Sequence, residues 1–280
     1  MKNIQLGALL FANEVTSANL ERLKEAGFET LSICFWETLG ETDLASLART
    51  TEEAGLPVNA ISVWGNPLAN EETLRGVQTL IEQAYRFGNP FVSTFAGRVP
   101  SKSVEASLPL FKEVFSELLD QAHRHDCRGL LLENCRMGDL WKRGSWNIAI
   151  NDAAWSLIFS TLDDPLLGLE WEPCHQVEAL LEPLAQLKRW KERVLHVHGK
   201  DAHVDHALLS EIGLYSPGKA IKATLPGCGD TDWQVLMQIL LDGGYQGSID
   251  IEAGGTSFFS DFEEKVASLD YLKKCRLSLR

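Results

Sequence analysis

A chain of 280 residues with 45% hydrophobic and 23% charged residues has ordinary globular composition and is long enough for two average domains or one large α/β barrel. Lys plus Arg number 26 against 39 Asp plus Glu, and the net charge of −13 disfavours a polyanion, and so a nucleic acid, as the main partner. No run approaches the roughly 18 apolar residues that a membrane span needs, and the start MKNIQLGALLFANEV has no small-residue cleavage pattern, so neither membrane insertion nor export is expected.

Eight short strand-like runs follow in order: IQLGALLF, TLSICFW, VNAISVW, FVSTFAG, GLLLEN, LGLEWEP, VLHVHGK and SIDIEAG. Between them lie amphipathic segments of helix length, among them SANLERLKEAG, EETLRGVQTLIEQAYRFG, SVEASLPLFKEVFSELLDQAHRH and DWQVLMQILLDGG, with apolar residues at three and four spacing. Gly27, Gly55, Gly88, Gly129 and Gly244 sit where a helix hands over to the next strand. This alternation, without a break in composition, predicts a single (β/α)₈ TIM barrel over residues 1–280, with its active site at the C-terminal face of the strands. A doubly wound sheet is the alternative, but no glycine-rich nucleotide fingerprint follows the first strand. Two long connections, 134–147 and 201–230, leave strand ends and are candidate walls or lids. The six cysteines have irregular spacing and no Cys-x-x-Cys pair, which reads as reduced thiols and a cytoplasmic setting.

The last four strands end in metal-ligand chemistry: Glu133, Glu172, His198 and Glu252. Three carboxylates at one rim repel one another unless a cation compensates, and a divalent ion brings their formal sum from −3 to −1. Oxygen-dominated ligation with one imidazole suits one Mn²⁺, with Mg²⁺, Zn²⁺ or Co²⁺ as alternatives. Side chains two apart share a strand face, so Glu170, His196 and Asp250 fall one layer lower. They either form a network bridged by His196 that braces the ligands above, or reach solvent at the barrel floor. Trp36, Trp64 and Phe95 lie near the ends of the second, third and fourth strands, as a wall for a polyol or as core. Lys200 is placed to bind a substrate oxygen or to pair with Asp201. Cys135 and Cys174 read as structural thiols, and His203 and His206 as surface or lid residues in a polar loop.

Through LLLENC, GLEWEPCH, HVHGKDA, LPGCGDTDW and GYQGSIDIE the chain resembles the sugar phosphate isomerase/epimerase family of xylose-isomerase-like barrels. That family includes ketose 3-epimerases, hydroxypyruvate isomerase, inosose dehydratase and endonuclease IV. The resemblance implies metal ligation by Glu133, Glu172, His198 and Glu252, with His175 contacting substrate or water. It also implies an isomerase or epimerase that moves a proton next to a carbonyl of a small carbohydrate through an enediolate, with Glu133 and Glu252 as acid/base pair. Dehydration of a keto-polyol and phosphodiester hydrolysis are the alternatives, and a homo-oligomer is left open. The chain departs from the pattern at Glu172, where many relatives have aspartate, and at Val204, where ketose 3-epimerases carry arginine.

Overall fold

The structure, a computed structural model, describes residues 4–254 and 256–279. The first three residues of the start read for an export signal lie outside these. In chain order the elements are β1 (Gln5–Phe11), α1 (Ser17–Ala26), β2 (Thr30–Trp36), α2 (Leu44–Ala54), β3 (Val58–Trp64), α3 (Glu71–Gln83), β4 (Phe91–Thr94), α4 (Val104–Arg124), β5 (Leu130–Glu133) and α5 (Asp152–Thr161). Then come β6 (Leu167–Trp171), α6 (Cys174–Glu178), α7 (Pro183–Trp190), β7 (Val194–Gly199), β8 (Asp201–Val204), α8 (His206–Ile212), β9 (Ile221–Thr224), α9 (Trp233–Asp242), β10 (Ser248–Ile251) and α10 (Phe262–Leu277). Eight strands close into a parallel barrel in the order β1-β10-β7-β6-β5-β4-β3-β2. All eight predicted runs contain barrel strands: TLSICFW and VNAISVW match β2 and β3 from end to end, and the other six are trimmed at one or both ends.

Local chemistry accounts for the helix limits. The Thr16 hydroxyl accepts from the Asn19 amide to start α1, and the Asp43 carboxylate accepts from Ala45 and Ser46 to start α2. Gly27 and Gly55 close these helices at φ of 87° and 67°, a region that costs a side chain bearing a Cβ. Gly129 departs from the predicted pattern: α4 ends at Arg124 with His125 as its cap, and a Cβ on Gly129 would lie 3.1 Å from the Leu166 carbonyl oxygen. Its role is close approach of β5 to β6, not a helix stop.

The connection after β7 also differs from a polar loop. It holds a two-stranded antiparallel ribbon, β8 with β9, and the short helix α8. Asp201 anchors the ribbon: its buried carboxylate accepts from the Thr231 hydroxyl at 2.7 Å and the Trp233 indole at 2.9 Å, so it is not the partner of Lys200. His203 is exposed and pairs with Asp230 at 2.7 Å, which ties the ribbon to the chain leading into α9.

The aliphatic core lies between strands and helices, where Leu, Ile, Val and Phe from both layers interlock. The barrel interior differs. Thr30, Ser32, Ser93, Glu170, His196, Ser248 and Asp250 are all fully buried there. Gly7 on β1 keeps room for them, because a Cβ at that position would stand 2.0 Å from Asp250 Oδ1.

Candidate metal centre

Backbone at the strand ends is pinned by side-chain amides. Asn134, just past β5, donates to the Glu172 carbonyl at 2.9 Å and accepts from the Glu172 amide at 3.0 Å. That reciprocal pair fixes the residue after β6. Asn147 donates to the carbonyls of Glu133 and Cys135, both at 2.8 Å, and accepts from Ala96 and Ala149. The connection between these two asparagines folds around Asp139, whose carboxylate accepts from the amides of Ser145, Trp146 and Asn147 and faces Arg98 at 3.1 Å. One predicted wall is therefore a rigid clasp holding the end of β5. Asn134, Asn147, Asp139 and Arg98 carry no signal in the sequence pattern, since their role depends on contacts between segments far apart in the chain.

Above the barrel floor, Glu133, His198 and Glu252 bring one ligand atom each within 4.8 Å of one another, a buried group able to hold a metal ion. His198 Nδ1 faces Glu252 at 3.5 Å and Glu133 at 3.7 Å, too far for hydrogen bonds. Glu172, the fourth expected ligand, lies to one side against His175 Nε2 and 3.5 Å from the Lys200 ammonium. Lys200 also donates to Glu252 Oε1 at 2.7 Å, so it bridges the carboxylates on either side of β7.

Seven polar atoms of these residues are buried without a hydrogen bond of ordinary geometry: Glu133 Oε2, both Glu172 oxygens, His175 Nε2, both His198 ring nitrogens and Glu252 Oε2, of which His175 Nε2 and Glu172 Oε1 face each other as an ion pair. A cluster of unsatisfied buried acceptors costs stability unless a cation completes it. The donor set, carboxylates with imidazole, fits a divalent ion.

Electrostatics divide the two edges of the site. Burial pushes the Glu133 carboxyl well above the usual range, and the neighbouring Cys135, Glu170, Glu172 and Glu252 add to the rise. Burial pushes Glu172 up as well, but the His175 and Lys200 cations outweigh it and bring its carboxyl down to about 2. For Lys200 and His175 the reverse holds: burial alone would discharge them, and the facing carboxylates, Glu172 foremost, raise both well above their ordinary values.

The layer beneath contains the predicted bridge. His196 Nδ1 lies 3.0 Å from Glu170 Oε1 and Nε2 lies 2.8 Å from Asp250 Oδ2, with all three side chains fully buried. An imidazole between two carboxylate acceptors needs a proton on each nitrogen. Burial opposes that charge, yet the hydrogen bonds to Asp250 and Glu170 prevail and raise the ring to about 9. Ser93 donates to Glu170 at 2.5 Å, while Thr30, Ser32 and Ser248 donate to Asp250. Glu170 Oε1 also lies 3.3 Å from His198 Nε2. It therefore couples the layers and leaves Nδ1 as the ring atom turned toward Glu133 and Glu252.

The aromatic residues divide. Trp36 is 44% exposed at the mouth and packs on Trp146 at 5.8 Å. Trp64 is buried, with its ring edge-on to His198 at 5.8 Å. Phe95 is only 1% exposed and packs with Leu9, Cys34, Trp64 and Cys135 as a cushion beneath the site, which corrects its expected place in the open wall. A cavity of about 760 Å³ between β9 and α10 has Lys200 and Glu252 in its lining.

A sequence profile described as xylose isomerase-like TIM barrel matches residues 20–275. The chain is 28% identical over 121 residues to an inosose dehydratase of Clostridium botulinum (strain Eklund 17B / Type B), covering 42% of this chain and 41% of that protein. It is 31% identical over 94 residues to an inosose dehydratase of Clostridium tetani, 32% of each. The matched stretch thus spans about two fifths or less of these curated relatives. Among solved structures, a xylose isomerase domain protein from Planctomyces limnophilus superposes with a TM-score of 0.76 at 16% identity, covering 99% of this chain and 98% of that one. A 3-keto-D-glucoside 4-epimerase from E. coli gives 0.71 at 17% identity, covering 97% and 100%. At such identities the likeness is one of fold.

Proposed function

Because the chain belongs to the xylose isomerase-like TIM-barrel family, we propose that it is a divalent-metal-dependent isomerase or epimerase acting on a sugar, sugar phosphate or small hydroxy-keto compound. The observation that carries this reading is the set of unpartnered buried atoms on Glu133, Glu172, His198 and Glu252. These four residues are the proposed ligands that would hold one divalent ion, Mn²⁺ first among the candidates. Bound there, the ion supplies Lewis-acid stabilisation of negative charge developing on a substrate carbonyl oxygen.

The chain's own residues do the rest. Glu133, whose carboxyl burial holds above its usual range, is suited to take and return a proton at the carbon beside the carbonyl. Glu252 is its counterpart across the site, with Oε1 held by Lys200. Lys200 and His175, both cationic beside Glu172, hydrogen-bond substrate oxygens. Trp36 at the mouth and Trp64 deeper in present apolar surface to the C–H face of a polyol. The chain works as one barrel domain over residues 1–280 on a small carbohydrate, and its six unpaired cysteines support a cytoplasmic location.

A second reading, dehydration of a keto-polyol, is favoured by the inosose dehydratases among the relatives and by two ammonium- or imidazolium-bearing side chains able to protonate a departing hydroxide. Phosphodiester hydrolysis fits less well, since the net charge is −13. Elemental analysis of the purified protein, followed by NMR of a panel of ketoses and inososes in D₂O, tests both. One divalent ion per chain with deuterium entering beside the carbonyl supports isomerisation. Loss of water to a new enone or diketone supports dehydration, and protein that binds no divalent ion overturns either reading.

A further inference from the structure

Trp64 ends β3 beside the centre, only 5% exposed, and its indole Nε1 has no hydrogen-bond partner among the described residues. The other buried tryptophans all donate: Trp155 to the Ala149 carbonyl at 2.9 Å, Trp171 to Gln186 Oε1 at 3.3 Å and Trp233 to Asp201 Oδ2 at 2.9 Å. An indole N–H can only donate, and a buried one left bare is costly. Trp64 thus stands apart from the tryptophans that serve the scaffold.

A divalent ion would not complete this group. Carboxylate oxygens and an imidazole lone pair on Glu133, His198 and Glu252 take a cation, whereas an N–H needs an acceptor. The ring's own surroundings offer none. Trp64 packs with Leu9, Cys34, Phe95 and Cys135, and the Phe11 ring, edge-to-face at 6.2 Å, presents only a π face, which accepts weakly. His198 is the polar neighbour, edge-to-face at 5.8 Å, and its nitrogens are directed to Glu170 below and to Glu133 and Glu252 across the centre. The backbone is fixed there, since the Trp64 carbonyl accepts from the Glu37 amide at 2.8 Å and Trp64 pairs in register with Trp36 on β2. An acceptor must therefore arrive from outside the chain.

We propose that Trp64 Nε1 donates a hydrogen bond to a hydroxyl oxygen of the substrate, so that Trp64 reads the substrate through its edge as well as walling it with its face. The inference rests on the carbohydrate reading of this site and narrows it. A short keto acid whose carbonyl and adjacent oxygen face the ion has no hydroxyl left for the indole, whereas a polyhydroxylated chain or ring has one. An analogue lacking that hydroxyl leaves the buried donor bare, a loss of about 10–100-fold in affinity.

The test is a titration followed by ¹H–¹⁵N NMR of the tryptophan indoles, in protein loaded with diamagnetic Mg²⁺ or Zn²⁺, with erythritol, xylitol and sorbitol as non-reacting polyol probes. Trp64→Phe assigns the Trp64 signal by its absence, and contacts to the Phe11 and His198 rings assign it in wild type if the variant folds poorly. That signal should move downfield as a polyol binds, while those of Trp155, Trp171 and Trp233 stay in place. Trp64→Phe should keep the ion and bind the tightest polyol about 10–100-fold more weakly, and one single-deoxy analogue of that polyol should bind wild type and variant alike. A polyol that binds without moving the signal, or that binds Trp64→Phe as tightly as wild type, overturns the inference and leaves the metal-dependent reading standing. A downfield shift already complete with the ion alone assigns the acceptor to a water and overturns it too. Failure of every polyol to bind the ion-loaded protein sinks the carbohydrate reading together with the inference.

Discussion

Two polar layers sit one above the other inside the same barrel, and they treat their charges in opposite ways. In the lower layer, Glu170, His196 and Asp250 form a chain in which every carboxylate oxygen and ring nitrogen meets a partner, with Thr30, Ser32, Ser93 and Ser248 completing it. In the upper layer, Glu133, Glu172, His198 and Glu252 are as deeply buried yet keep unpartnered atoms pointing at one another. Burial alone does not separate structure from function here. A network closed upon itself is part of the scaffold, whereas one left open is shaped for a group arriving from outside. His198 joins the two, with one ring nitrogen toward Glu170 below and the other facing the open carboxylates.

The sharpest way to break this comparison is to remove a charge from each layer. In the upper layer, Glu133→Gln should keep the fold and lower proton exchange into substrate by about 10²–10⁴-fold, because an amide of the same shape cannot accept the proton. Glu252→Gln should behave alike. Isotope incorporation followed by NMR with metal-loaded protein measures both, and exchange at the wild-type rate in either variant removes that residue from the acid/base pair. In the lower layer the loss should fall on stability. His196→Leu leaves Glu170 and Asp250 facing each other without their shared donor, an effect of about 3–5 kcal/mol in a denaturation curve. Metal affinity should weaken by about 10-fold or more as the Glu170 and His198 geometry relaxes. Unchanged stability and affinity would mean that this layer is open to water.

The lower layer was legible before any coordinates because strand period two is a strict rule. Once Glu172, His198 and Glu252 are placed at strand ends, Glu170, His196 and Asp250 must share their faces. What the period does not convey is the tilt of the strands. Glu170 pairs in register with Glu133 on one side and with His196 on the other. The tilt thereby brings Glu170 against both histidines, a contact that no single strand reveals. The serines and threonine that complete the network come from β2, β4 and β10, and a lone Ser in a strand carries no signal of its own. Phe95 was misplaced for a related reason: β4 stops at Thr94, and the residue beyond it turns into the cushion under Trp64. Lys200 was read against its neighbour Asp201, but consecutive residues in extended chain point to opposite sides. The lysine faces the carboxylates of the site and the aspartate faces α9.

Adding the metal should separate the layers by a smaller margin. A divalent ion at about 100 times its dissociation constant stabilises the folded chain by about 2.7 kcal/mol if only the folded state binds it. Thermal melts with and without Mn²⁺ measure this. Glu252→Gln should lose most of the increment, whereas Ser32→Ala in the lower layer should keep it at a lower baseline. An equal increment in both variants would place the ion somewhere other than this centre.

The smallest expected effect tests how redundant the closed layer is. Asp250 Oδ2 accepts from Ser248, two residues before it on the same face of β10, as well as from Ser32 and His196. Ser248→Ala removes one of three donors and leaves no charge bare, so its cost should sit near that of an ordinary hydrogen bond, about 1 kcal/mol. Because Asp250 is still held by the other two and Glu170 by Ser93 and His196, His198 should not move. Metal affinity and proton exchange should match wild type. A denaturation curve and a metal titration on Ser248→Ala measure the pair. A loss of several kcal/mol, or a tenfold drop in affinity, would show that the lower layer transmits every disturbance upward, and the division between a closed scaffold and an open site would fail at the residue where it is easiest to satisfy.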